Sequence, residues 1–377
     1  MPSLTLIAMP AARMFIGSEI YRRSSYGSKH PLAIPRVSAC IDLCSALGWL
    51  TDDVYVDSPC ATPEQLTRFH AADYVAALVA AETSQRVPEE AKSRYHIGVN
   101  GNPVFPEIFR RPATACGGTL KAVELIQAGA EIVYHPAGGT HHGRPNRASG
   151  FCYLNDPVLG IQALLEGGVA RVLYLDIDAH HCDGVQDAFA GEPRVLMISV
   201  HEEGRWPHTG AIGDRAGGSA RNIPVPPGMN DDEFEYLLAR AIFPLARHFR
   251  PEVVVMQGGC DALADDPLSK LELSNNAHWR AVRGAMTLAP RTIVLGGGGY
   301  NPWAVARCWA GVWATLRGYP IPERLPPEAE GVLRGLVWRR SQGRNPPEHW
   351  FTSLADLPRR GPIRPEIRET AARTLRD

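Results

Sequence analysis

The chain has 377 residues, is 45% hydrophobic and carries a formal net charge of -1. Its length and apolar content predict one large α/β domain, with two domains as the fallback. The near-neutral balance supplies no field for a phosphate backbone, which argues against nucleic acid as a partner. No run of ~18 uninterrupted apolar residues is available to cross a membrane.

In chain order, the opening "MPSLTLIAMPAARMF" is apolar, short and without a basic leader, so it predicts a first strand and not a signal peptide. The N-terminal third is otherwise loop-rich, with "YGSKHPLAIPR" and "GVNGNPVFPEIF" as irregular segments. From about residue 115 the pattern alternates. "KAVELIQAG" predicts a helix ending at Gly129, "EIVYHP" a strand, "PVLGIQALLEGG" a helix, and "RVLYLDI" and "RVLMISV" strands. "DDEFEYLLARAIFPLARHF" predicts one long amphipathic helix. "EVVVMQGG" and "RTIVLGGGG" predict strands, each followed by a helix, in "AHWRAVRGAMTLA" and "VARCWAGVWATL". Continuous apolar strands alternating with amphipathic helices predict an open, mostly parallel sheet with helices on both faces. The tail, residues 321–377, is rich in Pro and Arg. Trp338, Trp350 and Phe351 predict that it packs on the body of a single domain spanning 1–377. The eight cysteines are scattered, Cys40 and Cys44 being the closest pair. That spacing suits neither a disulfide framework nor a C-x-x-C clip, and it points to a reducing cytoplasm.

Each strand from the centre onward ends in polar residues that the fold alone does not need. They are His141 and His142 after "EIVYHP", Asp176, Asp178, His180, His181 and Asp183 around the end of "RVLYLDI", and Ser199 and His201 in the next strand. Asp261 and Tyr300 follow the last two strands. In open parallel sheets the ligand site lies beyond the carboxyl ends of the strands, so these five ends are expected to converge on one crevice. Asp178 and His180, two apart, can both enter that crevice, and Asp261 completes a set of three N/O ligands with a position left open for water. Such a set admits zinc, and also Fe(II), Co(II) or Mn(II); the alternative is a buried ion pair. Asp176 and Asp183 are spare carboxylates, each able to orient one imidazole of the His141–His142 pair. "GGGGY" lacks the G-x-G-x-x-G spacing of a dinucleotide loop. It suits close backbone approach with the Tyr300 hydroxyl presented to the site.

Taken together, "AGGTHHGRPNRASGFCYLND", "DIDAHHCDG", "GGCDALADDP" and "LGGGGYNPWAVARCW" resemble the histone deacetylase superfamily, in the family's order, from about Arg36 to Trp313. The surrounding segments resemble its bacterial acetoin-utilisation-type branch, close to the class I deacetylases. The resemblance implies the arginase–deacetylase fold and a zinc-dependent hydrolase acting on acyl-lysine amides, with an acetylpolyamine or other small acyl-amide as the second choice. It implies zinc on Asp178, His180 and Asp261, His141 backed by Asp176, His142 backed by Asp183, and Tyr300 as oxyanion donor. It further implies Phe151 and Trp206 as channel walls, the Gly150 carbonyl on the substrate amide, and Arg36 at the base of an acetate cavity. A structural potassium ion would sit on Ser199 and the backbone near Asp176, Asp178, His180 and Val200. Related enzymes carry a rim acid where this chain has Asn100 and Gly101, which leaves room for a small or unusual substrate. The arginase-like ureohydrolases share a similar "DAHxD" run, but Leu263 stands where their second metal needs a carboxylate. A catalytically silent acyl-group binder is the remaining alternative. The oligomeric state is not legible.

Overall fold

A computed structural model describes residues 12–376; most of the expected first strand, residues 1–11, lies outside them. The sheet has eight strands: β1 (Arg13–Gly17), β2 (Tyr55–Asp57), β3 (Ile132–His135), β4 (Val172–Asp176), β5 (Val195–Glu202), β6 (Ala220–Val225), β7 (Val253–Gln257) and β8 (Arg291–Leu295). Their order is β2-β1-β3-β8-β7-β4-β5-β6, and every pairing is parallel.

Residues of β3, β4, β5 and β7 are buried throughout, which a parallel sheet achieves only when both faces are covered. Successive side chains go to opposite layers. Leu173 and Leu175 join Val254, Met256, Trp309 and Val282 on one side. Val172 and Tyr174 join Val253, Val255, Val158 and Ala122 on the other. The helices Asn275–Ala285 and Pro302–Arg317 cover the first face, and Arg110–Gln127 and Asp156–Glu166 the second. This is the open α/β architecture expected from the alternation.

Three details depart from the sequence reading. The helix expected from Lys121 starts at Arg110, because Gly117 and Gly118 are there for packing and not as breakers. A Cβ would lie 2.0 Å from the Pro59 carbonyl at Gly117 and 2.4 Å from the His135 ring at Gly118. The long helix over residues 231–249 is interrupted by a π turn, Leu238–Ile242, just before Pro244. Proline lacks an N–H and crowds the preceding turn, and the wider loop absorbs both defects. β2 and β6 carry no apolar alternation of their own; β6 contains Pro224, which an edge strand tolerates.

The tail lies against the first face. Trp350 is 5% exposed and its ring centroid is 5.4 Å from that of Trp303, while Phe351 meets the same indole at 6.0 Å. Fully buried Arg307 reaches Asp356 at 2.6 Å and the Ser353 carbonyl at 2.7 Å. Removing an indole from such a contact leaves a cavity that neighbours fill only in part. Trp350→Ala should therefore lower the unfolding free energy by about 3–5 kcal/mol, read from urea denaturation; an unchanged midpoint would contradict the packing.

His70 ties the second face to the loop that carries His141 and His142. Its Nδ1 lies 3.0 Å from the Arg144 carbonyl, and its Nε2 accepts the Asn155 N–H at 3.0 Å. Burial pushes its pKa down to about 4. The unfolded chain then binds the extra proton first. His70 stabilises fully above the usual histidine value of ~6.5 and loses about 3 kcal/mol as pH falls toward the folded value. His70→Gln should flatten the stability–pH slope between about pH 6.5 and 4 by one proton, measured by denaturation at stepped pH.

Candidate active site

Five adjacent strands, β3, β8, β7, β4 and β5, carry the unusual residues. After β3 the chain turns through Gly138 and Gly139. Gly139 has φ of 94°, and a Cβ on it would meet Gln257 Oε1 at 2.5 Å, so only glycine fits. The N–H groups of Gly139 and Thr140 donate to buried Asp156, at 3.0 and 2.8 Å, fixing the turn that presents His141 and His142.

Asp178 and His180 leave β4 as the spacing predicts, and Asp261 follows β7. His180 Nδ1 lies 2.9 Å from Asp261 Oδ2 and 3.2 Å from Asp178 Oδ1; all three donor atoms lie within 4.8 Å of one another. Backbone N–H groups orient the carboxylates: Gly298 donates to Asp178 at 2.7 Å and Ala179 to Asp261 at 2.8 Å. Bare glycines cradle the cluster. A Cβ would come within 2.1 Å of Asp178 Oδ2 at Gly259 and 2.0 Å of Asp261 Oδ2 at Gly298. Burial opposes protonation of His180, but Asp261 and Asp178 outweigh it and lift its pKa to about 10. Two carboxylates and one imidazole nitrogen, converging in a space kept clear by glycine, fit a divalent cation of the zinc type.

The two histidines stand side by side, ring centroids 3.9 Å apart, and each has its own carboxylate. His141 Nδ1 is 2.7 Å from Asp176, and His142 Nδ1 is 2.6 Å from Asp183. Asp176 also accepts the Tyr174 hydroxyl at 2.8 Å, and Asp183 pairs with Arg144. Their environments differ. Burial disfavours charge on both, yet Asp176 and Asp178 raise His141 to about 9. Burial, followed by the neighbouring His141, lowers His142 to about 4. The two environments thus push the neighbouring imidazoles in opposite directions. Burial, then Asp261 and Asp178, hold the Tyr300 hydroxyl well above its ordinary value, so it stays a donor.

His141, His142, Asp178, His180 and Tyr300 line an inner cavity of about 60 Å³ that continues to Arg36 and Arg111. Arg36 donates to the Gly297 carbonyl at 2.6 Å and lies over the Trp309 ring at 5.3 Å. A wider mouth of about 1040 Å³ opens past Phe151 and Trp206. Trp206, 40% exposed, packs edge-on to His142 at 4.6 Å. Gly150 permits that approach, since a Cβ there would meet the indole at 2.4 Å. The Gly150 carbonyl accepts the Cys152 thiol at 3.4 Å. Asn100 lines the mouth, exposed, with φ of 52°.

One expectation is corrected: β5 brings Glu202 to the mouth of the crevice but not Ser199 or His201. It runs on to Glu202, so Ser199 and His201 stay buried within the strand, 2.9 Å apart, and line neither cavity. Several site residues escaped the sequence reading. Phe151 has φ of 67°, strained for a bulky residue, and is held by Asn102, whose Oδ1 accepts its N–H at 3.0 Å. Gly101 makes room for the ring, with a would-be Cβ contact of 2.7 Å, and His30 stacks on it edge-on at 4.6 Å. Asp266 accepts the Tyr300 N–H at 2.6 Å and so sets where the hydroxyl points from. Only the acid in "ADDP" offered any signal; the others are defined by contacts between distant segments.

The "Histone deacetylase domain" family model matches residues 30–316. The chain is 35% identical to the acetoin utilization protein AcuC of Bacillus subtilis, over 96% of this chain and 95% of that one. It is 34% identical to histone deacetylase 1 of Homo sapiens over 80% of this chain, spanning 64% of the human protein's length. Among solved structures it resembles an HDAC homolog complexed with SAHA, with a TM-score of 0.91, 37% identity, and coverage of 96% of this chain and 99% of the other. An HDAC homolog from Aquifex aeolicus matches equally, at a TM-score of 0.91 and 37% identity. Clear of the thresholds of chance in sequence and shape alike, these likenesses fall on the segments that build the cluster just described: the chain belongs to the histone deacetylase family, whose members are generally zinc-dependent amide hydrolases.

Proposed function

We propose that this deacetylase removes acetyl or other short acyl groups from the Nε of acyl-lysine in proteins, as a single unit over 1–377 with 321–377 packed on it. The observation that carries the reading is the His141–His142 pair, each imidazole on its own carboxylate, beside the Asp178–His180–Asp261 donors, with Tyr300 lining the same inner cavity. Those three donors would hold one zinc ion per chain. When bound, zinc supplies Lewis acidity to the amide carbonyl and brings the pKa of a water toward ~7.

The remaining chemistry belongs to the chain. His142, neutral and with Nδ1 engaged by Asp183, offers Nε2 to the proton of the attacking water. Asp183 then faces the imidazolium and stabilises it until the proton passes to the departing amine. His141, held charged by Asp176, contributes a fixed positive field beside the reacting carbon. Tyr300 donates to the oxyanion of the tetrahedral intermediate. Phe151 and Trp206 grip the lysine methylenes, Gly150 receives the substrate N–H, and Arg36 attracts the released carboxylate into the inner cavity. Ser199, with backbone near Asp176, Asp178, His180 and Val200, would hold a structural potassium ion behind the site. The eight cysteines, all unpaired among the described residues, suit a cytoplasmic setting.

A second reading is favoured by one feature. The mouth offers Asn100 in place of a rim acid, so a substrate without a peptide backbone, such as an acetylpolyamine or another small acyl-amide, loses nothing there. A fluorogenic acyl-lysine and acylpolyamine panel separates the two. Turnover of acetyl-lysine peptides well above that of polyamines supports the first reading, and the reverse order supports the second.

Chelation should abolish turnover of whichever substrate is accepted, and zinc should restore it. Activity that survives complete metal removal, checked by elemental analysis, would sink the metal assignment. Tyr300→Phe should fold normally and lose about 10²–10³ in kcat. Near-full kcat in that variant would remove Tyr300 from the reaction.

A further inference from the structure

Behind the candidate active site lies a second group of metal-binding side chains that the deacetylase reaction does not use. Cys260 follows β7 and directly precedes Asp261; His278 comes from the helix Asn275–Ala285, and Cys308 from the helix Pro302–Arg317. All three are at most 1% exposed, and their donor atoms lie within 4.8 Å of one another. Among the described residues neither ring nitrogen of His278 makes a hydrogen bond of normal geometry, although the ring faces the Cys308 thiol and the backbone of Gly258 and Gly259. A buried polar group without a well-formed hydrogen bond is unfavourable, so an imidazole in that state beside two sulfurs calls for a ligand.

We propose that Cys260, His278 and Cys308 form a second, closed metal site that takes a thiophilic d10 cation, namely zinc. Two thiolates and one neutral imidazole around a divalent ion sum to zero charge, which an apolar core accepts where an isolated ion would not be tolerated. The surroundings are apolar, with Trp279, Val282 and Trp309 in the same packed cluster. The Gly258 carbonyl, which accepts the Trp309 indole N–H at 3.1 Å and lies 3.9 Å from Cys260 Sγ, keeps a second lone pair for the fourth position, so the coordination would be closed to solvent. Thiolates also distinguish this site from the first, whose donors are oxygen and nitrogen only.

The site sits where an ion would brace the catalytic turn. The Cys260 N–H donates to the Gly298 carbonyl at 2.8 Å, and Gly299, next to Tyr300, has no side chain because a Cβ would lie 3.0 Å from that of Cys260. A bound cation would join the segment carrying Asp261 to the two helices behind it. The proposal does not depend on which substrate the enzyme takes.

Cobalt(II) substitution tests it, because a sulfur-to-cobalt charge-transfer band arises only from thiolate ligation. Full-length protein stripped of metal and reloaded should bind two ions per chain and show that band. His180→Ala should lose one ion and keep the band, whereas Cys260→Ser or Cys308→Ser should lose one ion together with the band. Unmodified protein that takes up a single ion and shows no thiolate band overturns the proposal, and this holds even if the serine variants fail to fold. In that case the three side chains are an ordinary thiol–imidazole contact.

Discussion

Asp178 and Asp261 bring two carboxylates to within hydrogen-bonding reach of one imidazole, at the carboxyl ends of neighbouring strands and out of contact with water. Burying that much charge is unfavourable unless partners are supplied, and much of the surrounding architecture supplies them. Backbone N–H groups from Gly298, Ala179 and His180 point at the carboxylates, bare glycines let those strands close in, and a second rank of acids steadies the histidines. The fold holds this cluster in place through parallel strands whose own side chains leave no freedom to shift, since both faces are packed.

The histidine pair shows how environment divides labour between identical residues. Both imidazoles are buried and both have an aspartate at Nδ1. Asp176 sits deep, with Asp178 adding its charge, and favours a proton on His141. Asp183 shares its charge with Arg144, and His141 repels a second proton, so His142 stays free to accept one. Titratable neighbours pushed in opposite directions are the usual mark of an acid–base pair.

Much of this was legible in the chain itself. β3, β4, β5, β7 and β8 stand out because strands buried on both faces need uninterrupted apolar runs, and polar residues at their ends are conspicuous by contrast. β2 and β6 were not legible, β2 being only three residues long and β6 mixing polar Arg221 and Asn222 with Pro224, so that neither shows an apolar run. The early turns of the helix Arg110–Gln127 hid behind Pro112 and two glycines whose reason is contact with Pro59 and His135, far away in sequence. At the site, residues whose chemistry is intrinsic, such as Asp178 or His142, were visible. Asn102 and His30 were not, and Gly101 was marked only as the place of a missing rim acid, because each acts through the conformation it imposes on Phe151.

The helix Pro365–Thr374 packs beside β6, the last strand on one side of the sheet, and Arg215 just before that strand donates to the carbonyls of Arg373 and Arg376, each at 3.2 Å. An open strand border is a template on which another chain can lay its own backbone. The helix adds Ile367 and Ala371 to the layer that packs on Ile223 and Val225 of this strand. A chain approaching that strand would meet the helix beside it, a constraint unrelated to chemistry at the distant crevice.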